Sequence, residues 1–548
     1  MKRFLGRFKY NLIMGGLFAI LAVLPDYIFQ LIVPNVHYVT DILFIAVISV
    51  FGFFLSMSGI FVYVICCTAF MIMQLIQLGH IAYFARPINP LDIGKVFSEF
   101  NDIYSASVTD MDDFWFVPTL AIIPFLLLIF CEFKWRKKLY FSFLGIVAVI
   151  IFLGVKPERA TRRGLHHFLP PETRYSIHNS INSFSFYFVR GFDKESISDI
   201  VPKDFYKPYG VHKKSSSADL VVLVMGESTS ADKMHLYNST TYPNTPQLEK
   251  IADNNPLFFK AKAISGGVST HASLPIFFNM MKEPGNIRQL TSYSTNLFKM
   301  AKENGYNTYF YSAYDMKQTN LIGVPYIDHI ITIEKNRHRF KMEKEDYLLE
   351  LFKEINLQEK SFVVLNFRST HSPYEKCYEH HKEFKKFEAK DDSRMEEENT
   401  AYANAVLYID SILGKMIKHI EKHKNLKVHF LFTADHGEML GYPDGQYGHN
   451  RLEKEVYTVP FIWIGQKDNP ISLHSTVSHY EIAEIIADLL GYEVQNPNFD
   501  NQTFFVHGNN LFEDYEFIKI KRDQENEIEI EPIQTVSRYI AKAREQSE

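Results

Sequence analysis

The residues best suited to chemistry follow two apolar, strand-like segments of this chain. Residues 218–225 run into Gly226-Glu227-Ser228-Thr229, and residues 428–434 run into Asp435-His436-Gly437-Glu438. The carboxyl ends of neighbouring buried strands in an α/β domain converge on one crevice, so Glu227, Asp435 and His436 are expected to meet there. Each motif alone is also ordinary turn or helix-cap chemistry. Together they predict a ligand set of two carboxylates and an imidazole for a divalent metal.

Zinc is the metal that this ligand set favours. Carboxylate oxygens combined with a borderline imidazole nitrogen suit Zn²⁺ or Mn²⁺ better than Ca²⁺. An open fourth position would make such a site catalytic rather than structural. The sequence therefore predicts a catalytic zinc site at Glu227, Asp435 and His436.

A candidate nucleophile lies between the two motifs. The small residues Ser265-Gly266-Gly267-Val268-Ser269-Thr270 follow a predicted strand and precede an apolar helical segment. A hydroxyl at a helix start lies at the positive end of the helix dipole, and a bound metal would lower its pKa further. Thr270 is the predicted nucleophile and Ser269 its competitor. Either hydroxyl would also serve as a simple N-cap.

Two histidines in polar loops are candidates for a phosphate site. His371 lies in Thr370-His371-Ser372-Pro373, and His449 lies in Tyr447-Gly448-His449-Asn450. Glycine or proline marks both loops, where a histidine is more often exposed and available than packed. A lone loop histidine usually has no special role, so the assignment of His371 and His449 to a phosphate site depends on the motifs around them.

The elements that must position these residues fall into two halves of different composition. Five apolar segments precede residue 155, at residues 10–33, 40–55, 59–84, 116–131 and 139–154. Most approach or exceed the roughly 20 residues that a helix needs to cross hydrocarbon. Basic clusters before the first segment and at residues 134–138 should both face the cytoplasm, which requires an even number of spans between them. Five spans in total then place the C-terminal half outside.

The predicted domains are a transmembrane domain at residues 1–155, a membrane-surface linker at 156–215 and a catalytic domain at 216–548. An external loop at 85–115 contains Asn89 and Glu99, whose polar groups either contact a lipid headgroup or belong to a solvated connector. The linker is basic and aromatic, as segments on anionic membranes are. A tail from residue 522 is interpreted as partly disordered.

From residue 217 onward, strand patterns alternate with helix patterns, which predicts a mostly parallel sheet with helices on both faces. The predicted strands are 219–225, 257–263, 307–312, 361–367, 427–434 and 457–464. The predicted helices are 245–252, 271–281, 292–304, 344–355, 395–423 and 478–490. A net charge of -5 argues against nucleic acid as a partner. Cys377 is the one cysteine after the apolar half, so the external domain has no internal disulfide.

The order of these motifs resembles the phosphoethanolamine transferases of Gram-negative inner membranes, which belong to the alkaline phosphatase and sulfatase superfamily. The resemblance rests on Gly226-Glu227-Ser228, Thr270 with Ser273-Leu274-Pro275, Thr370-His371-Ser372-Pro373, Asp435-His436-Gly437-Glu438 and Gly448-His449. It implies an alkaline-phosphatase-like central sheet flanked by helices, placed in the periplasm behind five membrane helices.

The resemblance also implies a mechanism and site residues. Glu227, Thr270, Asp435 and His436 would bind one zinc, and His371 and His449 would bind the phosphoryl group or a second metal. Thr270 would take phosphoethanolamine from phosphatidylethanolamine and pass it to a lipopolysaccharide acceptor, either lipid A or core sugar. The competing interpretations are a phosphoglycerol transferase acting on a periplasmic glycan and an inactive membrane-lipid sensor.

Two features depart from that family. The external domain lacks the disulfides that many members have, and residues 311–318 lack the cysteine-flanked lysine motif seen near the headgroup site of lipid A enzymes. Lys317 or Gln318 is the predicted substitute for headgroup binding.

Overall fold

The computed structural model describes residues 2–33, 36–84, 87–90, 93, 115–136, 142–163, 167–168, 170, 173–190, 197–315, 320–357, 359–423, 425–442, 445–465, 476–509, 511–523 and 527–546. The chain divides into two compact units, Met1–Lys194 and Glu195–Glu548. The boundary falls inside the predicted linker, whose place on a membrane surface stays a prediction.

The described part of the first unit is helical. Its helices are α1 (Lys2–Ile32), α2 (Ile42–Met57), α3 (Ile60–Phe84), α4 (Phe116–Trp135), α5 (Ser142–Arg162) and α6 (Ser176–Arg190). Three stretches are long and apolar enough to cross a membrane: Phe8–Ile32, Ile60–Ala82 and Phe116–Trp135. Helix α2 is apolar but only 16 residues long. Helix α5 becomes charged near its end, with Arg159 and Arg162 in its last turn. Three helices of this unit thus have the length and apolarity of membrane spans, whereas the predicted count of five spans is not confirmed.

The second unit is built on a central sheet that has eight strands in the described part of the chain. In spatial order these are β11 (Thr476–Ser478), β3 (Phe258–Ile264), β10 (Thr458–Ile464), β7 (Val428–Ala434), β2 (Leu220–Gly226), β6 (Ser361–Asn366), β4 (Asn307–Ser312) and β5 (His329–Ile331). The strands on either side of β2 run parallel to it. The six predicted strands are all present within one or two residues.

Strand β10 makes the sheet mixed, because it runs antiparallel to both β3 and β7. A parallel connection needs a crossover of a dozen or more residues, usually a helix. Between β7 and β10 the described chain forms only the short strands β8 (Met439–Leu440) and β9 (Tyr447–Gly448) and the helix Lys454–Tyr457. Strand β10 therefore returns beside β7, a direction that the alternation of elements did not reveal.

The central strands are buried on both faces. Every residue of β2 is buried, as the uninterrupted sequence Leu-Val-Val-Leu-Val-Met-Gly indicates. Alternate side chains enter opposite cores: Val222 and Val224 pack in one, and Val221 and Leu223 in the other. The sheet is therefore held from both sides, and its carboxyl edge is fixed by the two cores.

The remaining helices of the second unit are Ile197–Ile200, Pro246–Asn254, Thr270–Phe278, Ile287–Ser292, Leu297–Glu303, Arg337–Glu343, Glu345–Lys353, Arg394–Ile420, His479–Leu490 and Val536–Glu545. Outside the central sheet, β1 (Gly210–Lys213) pairs with β12 (Tyr492–Gln495). Strands β13 (Thr503–His507), β14 (Glu516–Arg522), β15 (Ile528–Ile530) and β16 (Gln534–Thr535) form a further sheet. The interpretation of the tail as partly disordered is wrong for residues 527–546, which form β15, β16 and the last helix. The charged side chains there alternate with residues that pack, such as Val536 and Ile540.

Candidate active site

The register of two parallel strands brings the first two predicted ligands together. Strand β2 pairs with β7 so that Gly226 lies opposite Ala434, and the next residue of each strand is Glu227 or Asp435. One ligand atom from each of Glu227, Asp435 and His436 lies within 4.8 Å of the others, and all three residues are buried. The carboxyl edge of the sheet thus holds the predicted cluster.

Only one oxygen of the Asp435 carboxylate accepts hydrogen bonds from described residues. Its Oδ1 accepts hydrogen bonds from the backbone N–H of Ser228 at 3.0 Å and of His436 at 2.7 Å. Its Oδ2 is buried and has no hydrogen-bond partner. A buried carboxylate oxygen without a donor is costly unless a cation neutralises it.

The imidazole of His436 presents Nε2 to the same space. Its Nδ1 donates a hydrogen bond to the Gly437 carbonyl at 2.9 Å, so the neutral ring keeps a lone pair on Nε2. That atom lies 3.5 Å from Glu227 Oε1 and 3.5 Å from Asp435 Oδ2. A ring held by a carbonyl at one nitrogen and open at the other is the usual arrangement of a metal-binding histidine.

The charges of the cluster also fit a cation. Burial, together with the adjacent Glu227 carboxylate, raises the pKa of Asp435 well above its ordinary value. Burial acts in the same direction on Glu227, but His436, His371 and the Ser228 hydroxyl outweigh it and lower the Glu227 pKa. Two adjacent carboxyls with an unpaired oxygen and an open imidazole nitrogen match the donor set of a zinc site.

The Thr270 hydroxyl lies against this cluster. It begins the helix Thr270–Phe278, and its Oγ1 donates a hydrogen bond to Glu227 Oε2 at 3.1 Å and lies 3.4 Å from His436 Nε2. The competing hydroxyl of Ser269 donates instead to Asn509 Oδ1 at 2.5 Å and makes no side-chain cap. The two candidates that sequence reasoning left open therefore have different surroundings, and Thr270 is the one beside the ligands.

Histidines 371 and 449 lie close to the same cluster. The ring of His449 is 4.3 Å from that of His436, and the ring of His371 is 6.4 Å from that of His449, measured between centroids. The pairing of β8 with β9 sets Met439 opposite Gly448 and so returns the chain to the cluster. The structure thus brings together Glu227, Thr270, His371, Asp435, His436 and His449.

Glu438 completes a second candidate ligand group that sequence reasoning did not assign. It joins His436 and His449 in a set whose ligand atoms also lie within 4.8 Å of one another. Its Oε2 lies 3.0 Å from His449 Nδ1, and its Oε1 accepts a hydrogen bond from Tyr374 at 3.0 Å. The sequence signal that could have identified Glu438 is its place in the Asp435-His436-Gly437-Glu438 motif, two residues after His436.

Tyr314 is a second residue that the sequence did not single out. It follows β4, which ends at the same edge of the sheet, and its ring lies 6.2 Å from that of His371. Burial, together with the carboxylates of Glu227 and Asp435, holds its pKa above the ordinary value. The neutral hydroxyl is therefore available as a donor beside the ligands.

Four further residues were predicted to bind substrate: Asn89, Glu99, Lys317 and Gln318. Glu99, Lys317 and Gln318 lie outside the described residues. Asn89 is in the first unit, where 5% of it is exposed. Their roles stay predictions.

Residues 219–492, half of the chain, match the protein-family model described as Sulfatase. The chain belongs to the sulfatase family. Membership confirms the predicted alkaline-phosphatase-like fold for the second unit of this sulfatase. The reaction of this chain is a separate question, because one fold hosts many chemistries.

Curated relatives of this sulfatase include phosphoethanolamine transferase EptA of Helicobacter pylori, 29% identical over 271 residues, or 47% of this chain and 49% of that protein. Putative transferase YhbX of Escherichia coli is 27% identical over 272 residues, or 49% of this chain and 46% of that protein. The predicted resemblance to the phosphoethanolamine transferases is confirmed by such relatives. The chain spans about half the length of the curated relatives it matches.

Among solved structures, the sulfatase resembles the C-terminal periplasmic domain of EptC from Escherichia coli in complex with Zn. The two are 22% identical, with a TM-score of 0.46, and the match covers 56% of this chain and 93% of that chain.

Proposed function

We propose that the chain is a metal-dependent transferase that moves phosphoethanolamine from phosphatidylethanolamine to a lipopolysaccharide acceptor, lipid A or core. The observation that carries the proposal is the Thr270 hydroxyl, which lies at a helix start and against Glu227 and His436. Helices apolar enough to cross a membrane support a lipid donor. The relatives named phosphoethanolamine transferase support the transferred group.

Zinc is the proposed metal, held by Glu227, Asp435, His436 and the Thr270 oxygen. When bound, it would favour the alkoxide of Thr270 and stabilise negative charge on the phosphoryl oxygens. The unpaired Oδ2 of Asp435 and the open Nε2 of His436 support this assignment. Glu438, His436 and His449 would hold a second ion or the phosphoryl group.

The first half of the reaction makes a bond at Thr270. Its Oγ1 attacks the donor phosphorus, and its proton leaves along the hydrogen bond to Glu227 Oε2. The bond from phosphorus to the diacylglycerol oxygen breaks, and diacylglycerol leaves after taking a proton. Thr270 then carries phosphoethanolamine as an ester.

The second half returns the enzyme to its starting state. An acceptor oxygen attacks the phosphorus and loses its proton, and the bond to Thr270 Oγ1 breaks with return of a proton to that oxygen. His371 and His449, beside the cluster, would orient the phosphoryl oxygens. Lys317, Gln318, Asn89 and Glu99 stay the predicted headgroup residues.

We further propose that the first unit crosses the bacterial inner membrane five times and that the catalytic unit is periplasmic. The five apolar segments all form helices, which supports the count, although α2 and α5 fall short in length or apolarity. The basic residues at both ends of the four-span stretch support the orientation.

The experiment that tests the function compares two adjacent hydroxyls. Full-length protein is incubated with phosphatidylethanolamine without acceptor, and peptides are analysed by mass spectrometry. Thr270→Ala should lose the phosphoethanolamine adduct and transfer, since it lacks the oxygen that forms the ester. Ser269→Ala should keep both, since its hydroxyl contacts Asn509 rather than the ligands.

Other outcomes contradict specific parts of the proposal. An adduct on Ser269 would show that the wrong hydroxyl is assigned. A phosphoglycerol adduct from phosphatidylglycerol would make the chain a phosphoglycerol transferase. Equal turnover after complete removal of metal by a chelator would exclude the metal-dependent mechanism.

A further inference from the structure

Helix α6 buries a polar face inside the first unit. Ser176, Asn179, Ser180 and Ser183 are each fully buried. Residues three and four apart lie on one face of a helix, so these four form a single stripe. The stripe contacts α3 directly, because the Ser180 hydroxyl lies 3.3 Å from both the Met73 carbonyl and Gln77 Oε1. A helix packed among apolar helices normally buries its apolar side.

A carboxylate lies at the start of this polar stripe. Asp26, on the apolar helix α1, is fully buried, and its Oδ2 accepts a hydrogen bond from the backbone N–H of Ser176 at 3.1 Å. That bond caps the first turn of α6 and accounts for one oxygen. The other oxygen, Oδ1, is buried without a hydrogen-bond partner. No described basic side chain pairs with Asp26.

A second unpaired oxygen belongs to a side chain bound to the same serine. Gln74 Nε2 donates a hydrogen bond to Ser176 Oγ at 2.7 Å, while Gln74 Oε1 is buried without a partner. Asp26 and Gln74 therefore approach Ser176 from α1 and α3, and each keeps one oxygen free. Both side chains are fully buried.

Tyr38 supplies a third unpaired oxygen. Its hydroxyl is buried without a hydrogen-bond partner. Its ring stacks on that of Tyr175, the residue before Ser176, with centroids 6.5 Å apart. Three unpaired buried oxygens thus belong to side chains that contact Ser176 or its neighbour Tyr175 at the start of α6.

The chemistry of these oxygens selects the ligand. Ionisable residues inside membrane spans are rare and mark ion or substrate sites. One carboxylate charge calls for one positive charge, and three acceptors match the three donors of a primary ammonium group. A divalent metal would call for more carboxylates than this group contains.

We propose that Asp26, Gln74 and Tyr38 bind a primary ammonium group. The inference rests on the proposed function, because phosphatidylethanolamine carries this group on its head. A free soluble amine has the same chemistry and is the alternative source. The site belongs to the first unit and consists of other residues than those predicted for headgroup binding.

The test uses full-length protein in nanodiscs of phosphatidylglycerol that contain a minor fraction of phosphatidylethanolamine. Native mass spectrometry counts the phosphatidylethanolamine retained per protein. Asp26→Asn keeps an oxygen for the Ser176 N–H but removes the charge, and should weaken retention about 10- to 100-fold, as loss of a charged hydrogen bond does. Tyr38→Phe removes only an unpaired hydroxyl and should weaken it by a smaller factor.

Glu132→Gln is the matched control. Glu132 is also a buried carboxylate of this unit, but Tyr10 donates to its Oε2 at 2.5 Å and Arg136 lies 3.5 Å from its Oε1. Its charge is already compensated, so retention should not change. Free ethanolamine as competitor separates the sources, because it displaces the lipid only if the site accepts a soluble amine.

Wild-type retention in folded Asp26→Asn and Tyr38→Phe would overturn the ammonium site, and so would equal retention of phosphatidylcholine. The proposed function has its own readout, since Thr270→Ala should retain phosphatidylethanolamine without transferring its headgroup. Asp26-dependent retention in a wild-type protein that transfers nothing would keep the site and reject the function.

Discussion

At the scale of single residues, the candidate site depends on atoms that the sequence indicates and on others that only the fold places. The two motifs pointed to Glu227, Asp435 and His436 because polar residues at strand ends share one edge of a sheet. Thr270 and Ser269 were indistinguishable in sequence, since both begin the same helix. The two hydroxyls differ because Ser269 contacts Asn509, which follows strand β13 of the C-terminal sheet and is distant in sequence.

Glu345 is a residue whose effect on the site is indirect. Its Oε1 accepts hydrogen bonds from the backbone N–H of Arg368 at 2.9 Å and of Ser369 at 2.8 Å, and 1% of it is exposed. These bonds fix the chain that leads from β6 to His371.

We expect Glu345→Leu to impair both stability and the use of phosphorylated substrate. The buried N–H of Ser369 and the partly buried N–H of Arg368 would lose their acceptor, and the buried one alone should cost about 1 to 3 kcal/mol. The measurements are the urea unfolding midpoint and the KM of transfer. Glu345→Gln is the control, and its urea midpoint and KM should stay close to those of the wild type, because glutamine keeps an acceptor oxygen. A normal KM in a folded leucine variant would show that the loop does not depend on this contact.

At the scale of elements, the strands of the central sheet were predictable because they are buried on both faces and read as apolar runs. The short strands β8 and β9 were not, because pairs of two residues leave no pattern. Yet their pairing brings His449 to Glu438. The direction of β10 and the C-terminal sheet also depend on contacts distant in sequence.

Asp410 links two helices of the second unit in a way that depends on pH. It lies on Arg394–Ile420, and its carboxylate accepts from Gln247 N at 2.8 Å and Leu248 N at 2.9 Å, at the start of Pro246–Asn254. Burial raises its pKa from 3.8 to about 7. Between pH 3.8 and about pH 7, the folded unit therefore keeps the Asp410 carboxyl protonated, whereas the unfolded chain has lost that proton.

Because the folded pKa is raised, the stability that this group contributes is full below about pH 4 and is lost as pH rises through 7. Between the two pKa values, the free energy of unfolding should fall by about 1.4 kcal/mol per pH unit. Asp410→Asn should remove this slope while keeping one acceptor oxygen. Urea unfolding at several pH values in this window measures it, and identical slopes in both proteins would contradict the prediction.

The membrane helices make a prediction about sidedness. Reporter fusions after residue 36, within 86–113 and after 160 should be external, and fusions near Ser58 and Arg136 should be internal. The physical reason is that basic residues at both ends of a four-span stretch remain in the cytoplasm. An external reporter at Arg136 would contradict the five-span proposal.

At the scale of the whole molecule, the second unit holds together without covalent crosslinks. Cys377 is the one cysteine in residues 195–548 and is a buried free thiol. Its stability therefore depends on noncovalent interactions, among them the two cores that enclose the sheet.

We therefore expect the thermal unfolding midpoint of this unit to be the same with and without a thiol reductant. Calorimetry of the protein in both conditions checks this expectation, with a disulfide-containing protein as the positive control. A midpoint that falls on reduction would reveal an intermolecular disulfide through Cys377.

The position of β2 between β6 and β7 has a consequence for biosynthesis. Glu227 is synthesised long before Asp435 and His436, and it acquires them as neighbours only when β7 pairs beside β2. A ribosome-bound chain that has not yet extended past β7 has one carboxylate of the cluster and lacks the other ligands of the proposed metal. If the proposed metal site is correct, its loading must follow the pairing of β7 with β2 and take place in the compartment where that part of the sheet forms.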